Sequence, residues 1–156
     1  QLDSNADVHT YLGNNPIKTK KQAEENIRFI REQYKERGIG RFAVIEKVSN
    51  EFMGWSGMKL NQGEKEELNG FSNFIDIGYR LIPRYWGKGY ASESAFACLD
   101  FGFKQMNYDC IYGAADTENS GSNKILQKIG LQFVSDFNHK DIKVNWYQLH
   151  KSEYER

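Results

Sequence analysis

No apolar run in this chain approaches the about 20 residues that a membrane-crossing helix needs, and no secretory leader opens it. Cysteine is scarce. Cys98 and Cys110 are the two present, too few for a disulfide framework and without metal-ligand spacing; their apolar neighbours read as surroundings for reduced, buried thiols. Together these absences point to a metal-free protein of the reducing cytoplasm, with no membrane association. Charge of one sign is missing as well: 21 basic and 21 acidic side chains cancel. A general nucleic-acid binder needs a phosphate-neutralising surplus, so that class is set aside, while one small anionic ligand is not. The two prolines, Pro16 and Pro83, each close one stretch before another begins. Neither repeats nor low-complexity segments occur.

What is present suits one domain spanning 1–156. At 156 residues, 39% of them hydrophobic, the chain can bury roughly two-thirds of its unfolded surface without staples.

Residues 19–37 read as a helix. Thr19 and Gln22 form a capping box, Ala23, Ile27, Ile30 and Tyr34 fall on one face, and Gly38 ends the segment. Strand-like runs follow at Arg41–Val48 and Phe52–Leu60, joined by a short turn. Asn61–Gly70 is polar and reads as a surface loop. A third strand, Phe74–Ile82, stops at Pro83. Past Gly89 a helix reaches about Lys104, with the small residues Ala91, Ala95, Cys98 and Gly102 on one close-packing face. A strand at Asp109–Ala115 and a helix over Ser120–Ile129 come next, with Asn119 or Ser120 as its cap. The strands Leu131–Phe137 and Val144–His150 form a last hairpin around 138–143.

The order α-β-β-β-α-β-α-β-β contains one β-α-β crossover, which requires a parallel pair, flanked by hairpins, which are antiparallel. The expected fold class is therefore α/β with a mixed, mostly antiparallel sheet of about six strands and helices on both faces.

The chemistry concentrates between Pro83 and the helix that follows. A glycine-bearing turn running into a helix start offers unpaired backbone N–H groups and the positive end of the helix dipole, a combination that binds phosphate. Gly87 and Gly89 admit a ligand close to the backbone, and Arg80, Arg84 and Lys88 add charge nearby. A P-loop would need Ser or Thr where Gly89 stands, and a dinucleotide fingerprint would need glycine or alanine where Ser92 stands.

Three stretches carry a resemblance that covers nearly the whole chain: Ile77 to Pro83, Tyr85 to Glu93, and Glu118 to Ser122 with Leu126 to Leu131. In this order, on these elements, they resemble the GNAT superfamily of N-acetyltransferases, most closely the branch that acetylates the N-termini of ribosomal proteins. Arg84-Tyr85-Trp86-Gly87-Lys88-Gly89 matches the family's Gln/Arg-x-x-Gly-x-Gly/Ala pattern. The resemblance implies acetyl-CoA as co-substrate. Its pyrophosphate would be held by backbone amides of Trp86, Gly87, Lys88, Gly89, Tyr90 and Ala91. The strand ending at Leu81 would splay from the next, and pantetheine would lie in the gap beside Tyr79, Arg80 and Leu81, with Asn119 and Ser122 on the other side.

Amide formation needs a neutral amine, donors for the developing oxyanion, and a proton or its equivalent for the leaving thiolate. The family's usual tyrosine, seven residues after the motif asparagine, is Leu126 here. Ser122 is then the candidate acid, against a plain helix-capping role. Asp76 is the candidate base: an isolated acid in an apolar strand could carry a raised pKa. The alternative is an ion pair with a neighbour such as Arg80. Trp55, Tyr79 and Trp86 could line the acceptor side, the Gly63–Glu67 loop could give it an acidic mouth, and His9, His139 and His150 read as surface residues.

The function so implied is acetyl transfer from acetyl-CoA to a primary amine, an N-terminal amine of a peptide or protein in the first place. An antibiotic or polyamine acceptor is the alternative, and a catalytically weak acyl-CoA-binding module a third. Family members usually place a strand ahead of the first helix. Here Leu2-Asp3-Ser4-Asn5 enters that helical region at once, which would leave a sheet edge open to a partner, including a second copy in a homodimer.

Overall fold

The computed structural model describes residues 1–154. A short helix α1 (Ala6–His9) precedes α2 (Lys20–Arg37), β1 (Arg41–Ile45), β2 (Phe52–Asn61) and β3 (Phe74–Leu81). Then come α3 (Tyr90–Asp100), β4 (Cys110–Asp116), α4 (Ser120–Lys128), β5 (Gln132–His139), β6 (Ile142–His150) and a terminal turn of helix, α5 (Lys151–Tyr154). The six strands form one sheet in the order β1-β2-β3-β4-β6-β5. All neighbours are antiparallel except β3 and β4, which are parallel and meet at one register pair, Asp76 opposite Tyr112. This is the mixed sheet that the element order requires, with its seam at the crossover.

Local chemistry sets the element ends. The Thr19–Gln22 capping box is formed on both sides, and Gly38 closes α2 at φ 72°. Asn119, rather than Ser120, caps α4 by accepting the Ser122 amide at 3.0 Å. The last hairpin turns on Lys140 and Asp141, tighter than the six-residue loop expected, because Lys140 itself takes a left-handed φ of 55°.

The core lies between the sheet and α3 with α4. Met58, Ile75, Ile77 and Ile111 meet Ala95, Leu99, Phe103, Leu126 and Ile129 there. Gly102 permits this closeness: a Cβ would come within 2.6 Å of Met58 Sδ and 2.8 Å of Ile111 Cδ1. Helical structure continues past Asp100 as a wide π turn, Phe101–Gln105, instead of regular α-helix to Lys104. The wider turn lets Phe101 meet Phe42 at 5.8 Å and Phe103 meet Tyr154 at 4.9 Å. The opposite face carries an aromatic cluster of Phe71, Phe74, Tyr112 and Trp146, and beyond it Asp76, Trp55 and Arg80.

Three expectations give way. The apolar face of α2 is not buried: Ile27 is 58% and Tyr34 37% exposed, and the buried residue of the helix is Gln33. The helix meets the sheet at its β1 edge, where Tyr34 donates to Gly40 O and Arg41 O and packs its ring on Phe42. An edge strand offers too little surface to cover the whole stripe. His9 is buried rather than on the surface, because Leu2 and Val8 fold the N-terminal segment onto Met53, Leu81, Ile82 and Tyr85; His139 and His150 are exposed as expected. The Gly63–Glu67 loop lines neither of the two cavities described below and so gives them no acidic mouth, and its Glu66 is held by Arg37 at 2.6 Å and Lys59 at 2.8 Å.

One buried polar residue fixes α4 to the sheet. Asn123 donates to Asp116 O and Asn119 O at 2.8 Å each, and accepts from Asn145 at 2.8 Å and Tyr147 Oη at 2.7 Å. Replacing Asn123 by alanine strands these partners in a dry interior. Urea unfolding is expected to show a loss of about 2 kcal/mol or more.

Candidate active site

Pro83 cannot continue a ladder, and it starts a single 3₁₀ turn, Pro83–Tyr85. Gly87 and Gly89 follow with φ of 70° and 87°, and a Cβ on either would meet nothing within 4 Å. Glycine is required there by backbone conformation, and the space above the turn stays open. Gly89 caps α3 without a side-chain bond, and the first intrahelical bond is Glu93 N to Gly89 O at 3.0 Å. The amides of Tyr90, Ala91 and Ser92 therefore have no helical acceptor and point, with the dipole, into that space.

A cavity of about 770 Å³ runs from this turn through the β3–β4 seam to the opposite face of the sheet. One end is walled by Trp86, Gly87, Gly89, Tyr90 and Ala91. Its middle passes between Tyr79 to Leu81 on β3 and Asn119 to Ser122 at the start of α4. Its far end is bounded by Arg41, Trp55 and Asp76, with Asp7, Val8, Tyr11 and Leu12 of the N-terminal segment closing over it.

The cationic side chains do not gather at the helix start. Arg80 points to the other face by strand alternation, where it bonds Asp3 at 2.6 Å and lies over Trp55 at 5.1 Å. Arg84 turns outward to Glu51 at 3.1 Å. The Lys88 ammonium sits 5.9 Å over the ring of Tyr85, whose hydroxyl donates to the same Glu51 carboxylate at 2.7 Å. The polar groups left open at the start of α3 are thus main-chain amides. Trp86 is 48% exposed, and its indole N–H donates to Leu81 O at 2.7 Å, so that carbonyl is already engaged.

Asp76 is not isolated, and its partner is not Arg80. Arg41 Nη2 donates to Asp76 Oδ2 at 2.9 Å, and Asn61 Nδ2 donates to Oδ1 at 2.9 Å. Arg41 also lies over Trp55 at 5.2 Å, so this indole is sandwiched between two guanidiniums. Across the seam, the Tyr79 hydroxyl is 3.0 Å from Ser122 O and 3.1 Å from Ser122 Oγ. Burial pushes the Tyr79 phenol above its ordinary value, and the hydrogen bond with Ser122 offsets part of that rise. Leu126 is buried behind them, against Gly113.

Four contributors escape a reading of the sequence: Arg41, Asn61, Asn123 and the hydroxyl of Tyr79. Arg41 opens a strand and Asn123 interrupts the apolar face of α4. A polar residue at a core-facing position was the available signal.

Comparison with known proteins agrees with this geometry. The family described as "Acetyltransferase (GNAT) domain" matches residues 1–132. The Bacillus licheniformis protein named "Uncharacterized N-acetyltransferase p20" is 32% identical over 132 residues, 85% of this chain and 70% of that one. The spermidine N(1)-acetyltransferase of Escherichia coli K12 is 26% identical over 140 residues, 90% and 69% of the two chains. Among solved structures, a GNAT-family acetyltransferase from Bacillus anthracis superposes with TM-score 0.75 at 26% identity, covering 97% of this chain and 86% of its own. The Vibrio cholerae spermidine N-acetyltransferase in complex with CoA and spermine gives 0.75 at 18% identity, covering 99% and 89%.

Replacing Gly87 and Gly89 together by alanine forces two Cβ-bearing residues into left-handed backbone. Calorimetry is expected to show coenzyme A affinity at least about tenfold weaker, with the far-UV circular dichroism unchanged.

Proposed function

The chain belongs to the GNAT acetyltransferase family, and on that premise we propose that it acetylates the N-terminal amine of a peptide or protein. It is an acetyl-CoA-dependent N-acetyltransferase; acetyl-CoA supplies the acetyl group as an activated thioester. The residues present fit that co-substrate. Open space stands over Gly87 and Gly89, free amides face it, and a seam without a full ladder continues from it. In this reading the amides of Gly87 to Ala91 hold the diphosphate, since that of Trp86 is already given to Pro83 O at 3.0 Å. The backbone of β3 at Tyr79 and Leu81, which faces away from β2 into the seam, lies along the pantetheine arm, an added-strand arrangement, and Tyr79 offers its N–H to the developing oxyanion. Asn119 orders the first turn of α4. Ser122 Oγ–H is the donor to the departing sulfur.

Asp76 serves as base. Oδ1 and Oδ2 each hold one donor, and each keeps a lone pair with which to take the amine proton, directly or through water.

The observation that carries the choice of acceptor is a second cavity of about 380 Å³ beyond the acceptor end. It shares Tyr11, Leu12, Ala114, Ala115 and Asp116 with the first, and is otherwise lined by the apolar Leu68, Ile142 and Val144 together with Gly13, His139 and Lys140. An amine delivered to Asp76 on an extended chain would put an apolar side chain there. A polyamine is the second reading, favoured by the spermidine-acetylating relative and by Asp7, Asp76 and Asp116 on the wall. Against it, Arg41 neutralises Asp76 at 2.9 Å.

Thiol release measured with acetyl-CoA and a panel of amines tests the choice. Short peptides with an apolar first residue are expected to exceed spermidine in kcat/KM by about tenfold or more, and the reverse order would overturn the peptide reading. Asp76→Asn is expected to lower kcat by about 10²-fold with the Kd for coenzyme A unchanged.

A further inference from the structure

Leu126 leaves α4 without a hydroxyl at the place where the family's proton donor stands, yet the seam is not without a phenol. Tyr79 supplies one from β3. We propose that Tyr79 is a positioning residue that aims the Ser122 hydroxyl at the coenzyme sulfur; this rests on the reading of Ser122 as the sulfur-side donor.

The geometry offers Tyr79 two settings. Its one proton can go to Ser122 O at 3.0 Å or to Ser122 Oγ at 3.1 Å, but not fully to both. In the first setting, the phenol oxygen is left to accept, and the Ser122 proton turns back to it. In the second, the phenol donates to Oγ, and the Ser122 proton is released toward the cavity that Ser122 lines. Rotation about two C–O bonds interconverts them, and no heavy atom moves. A negative charge forming on sulfur selects the second setting, because it attracts the Ser122 proton and leaves Oγ a better acceptor for the phenol. Burial keeps the phenol protonated, so it remains a donor throughout.

The placement explains why a serine serves here. A lone serine in the first turn of a helix tends to return its proton to a backbone carbonyl. Its own amide is already bound to Asn119 at 3.0 Å, so the side chain is the one rotor left to set. The phenol comes from the opposite side of the seam, and so holds Ser122 from the half-sheet that carries Asp76.

Three proteins decide the matter: Tyr79→Phe, Ser122→Ala and the double variant. Expected are a kcat about 10²-fold lower for Ser122→Ala, about tenfold lower for Tyr79→Phe, and no further loss in the double variant, with the KM for acetyl-CoA unchanged. A second readout needs no turnover. Near about pH 9, where a free thiol is partly ionised, calorimetry should find coenzyme A bound about tenfold tighter than desulfo-coenzyme A, and either substitution should erase the difference. Tyr79→Phe that retains both kcat and the ratio while Ser122→Ala loses them sinks this inference alone. So does a Tyr79→Phe that lowers thermal stability and weakens both ligands equally, the mark of a mere strut. Ser122→Ala with full kcat and an intact ratio sinks the underlying assignment instead.

Discussion

Parallel strands β3 and β4 are held together at Asp76 and Tyr112 and then part. The open turn at Gly87 and Gly89, the Tyr79–Ser122 contact and Asp76 all lie along that parting. A sheet interior normally saturates its backbone groups with neighbours, and a gap there leaves donors and acceptors that something must satisfy. The gap is kept open by what flanks it. Pro83 ends β3 without a further ladder donor, and α3 starts from glycines in left-handed conformation. Asn119 and Asn123 lock the first turn of α4 against the end of β4. The two half-sheets are joined instead through the core under α3 and α4, where Met58, Leu99, Phe103, Ile111 and Leu126 pack. Side-chain packing replaces backbone pairing at the one place where backbone pairing would fill the site.

On the opposite face, a chain of ion pairs and stacked groups arranges the acceptor end. Asn61 and Arg41 hold Asp76, Arg41 and Arg80 enclose Trp55, and Asp3 holds Arg80. Each charge is only partly shielded, and each is matched. That balance matches these four charges in two pairs, and it ties the N-terminal segment, with Tyr11 and Leu12, over the junction of the two cavities. The indole between two guanidiniums gives the arrangement stiffness that a pair of exposed ions alone would lack.

Much of this could be read from the residues before any coordinate. The capping box at Thr19, the stop at Gly38 and the glycines before Tyr90 follow from local backbone chemistry, which acts over a few residues. The parallel pair follows from the crossover rule, whereas the place of β6 between β4 and β5 does not. Partners distant in sequence could not be read. Arg41 finds Asp76 across two strands, and Tyr79 finds Ser122 across the seam, because register and splay bring them together, and neither leaves a mark in a local window. The stripe on α2 misled for a related reason. Periodicity reports which residues share a face, but not whether enough surface exists to cover it, and β1 is an edge. His9 went the other way, drawn inward by its neighbours Val8 and Leu2.

The seam has a kinetic meaning. Admission of a long, flexible carrier into an ordinary sheet would require rungs to be undone and later rebuilt, a cooperative event with its own barrier. Here the rungs were never made. On the proposed reading, a spent carrier would slide out by giving up contacts one after another, because hydrophobic side chains, not pairing with the visitor, hold the walls of the seam apart.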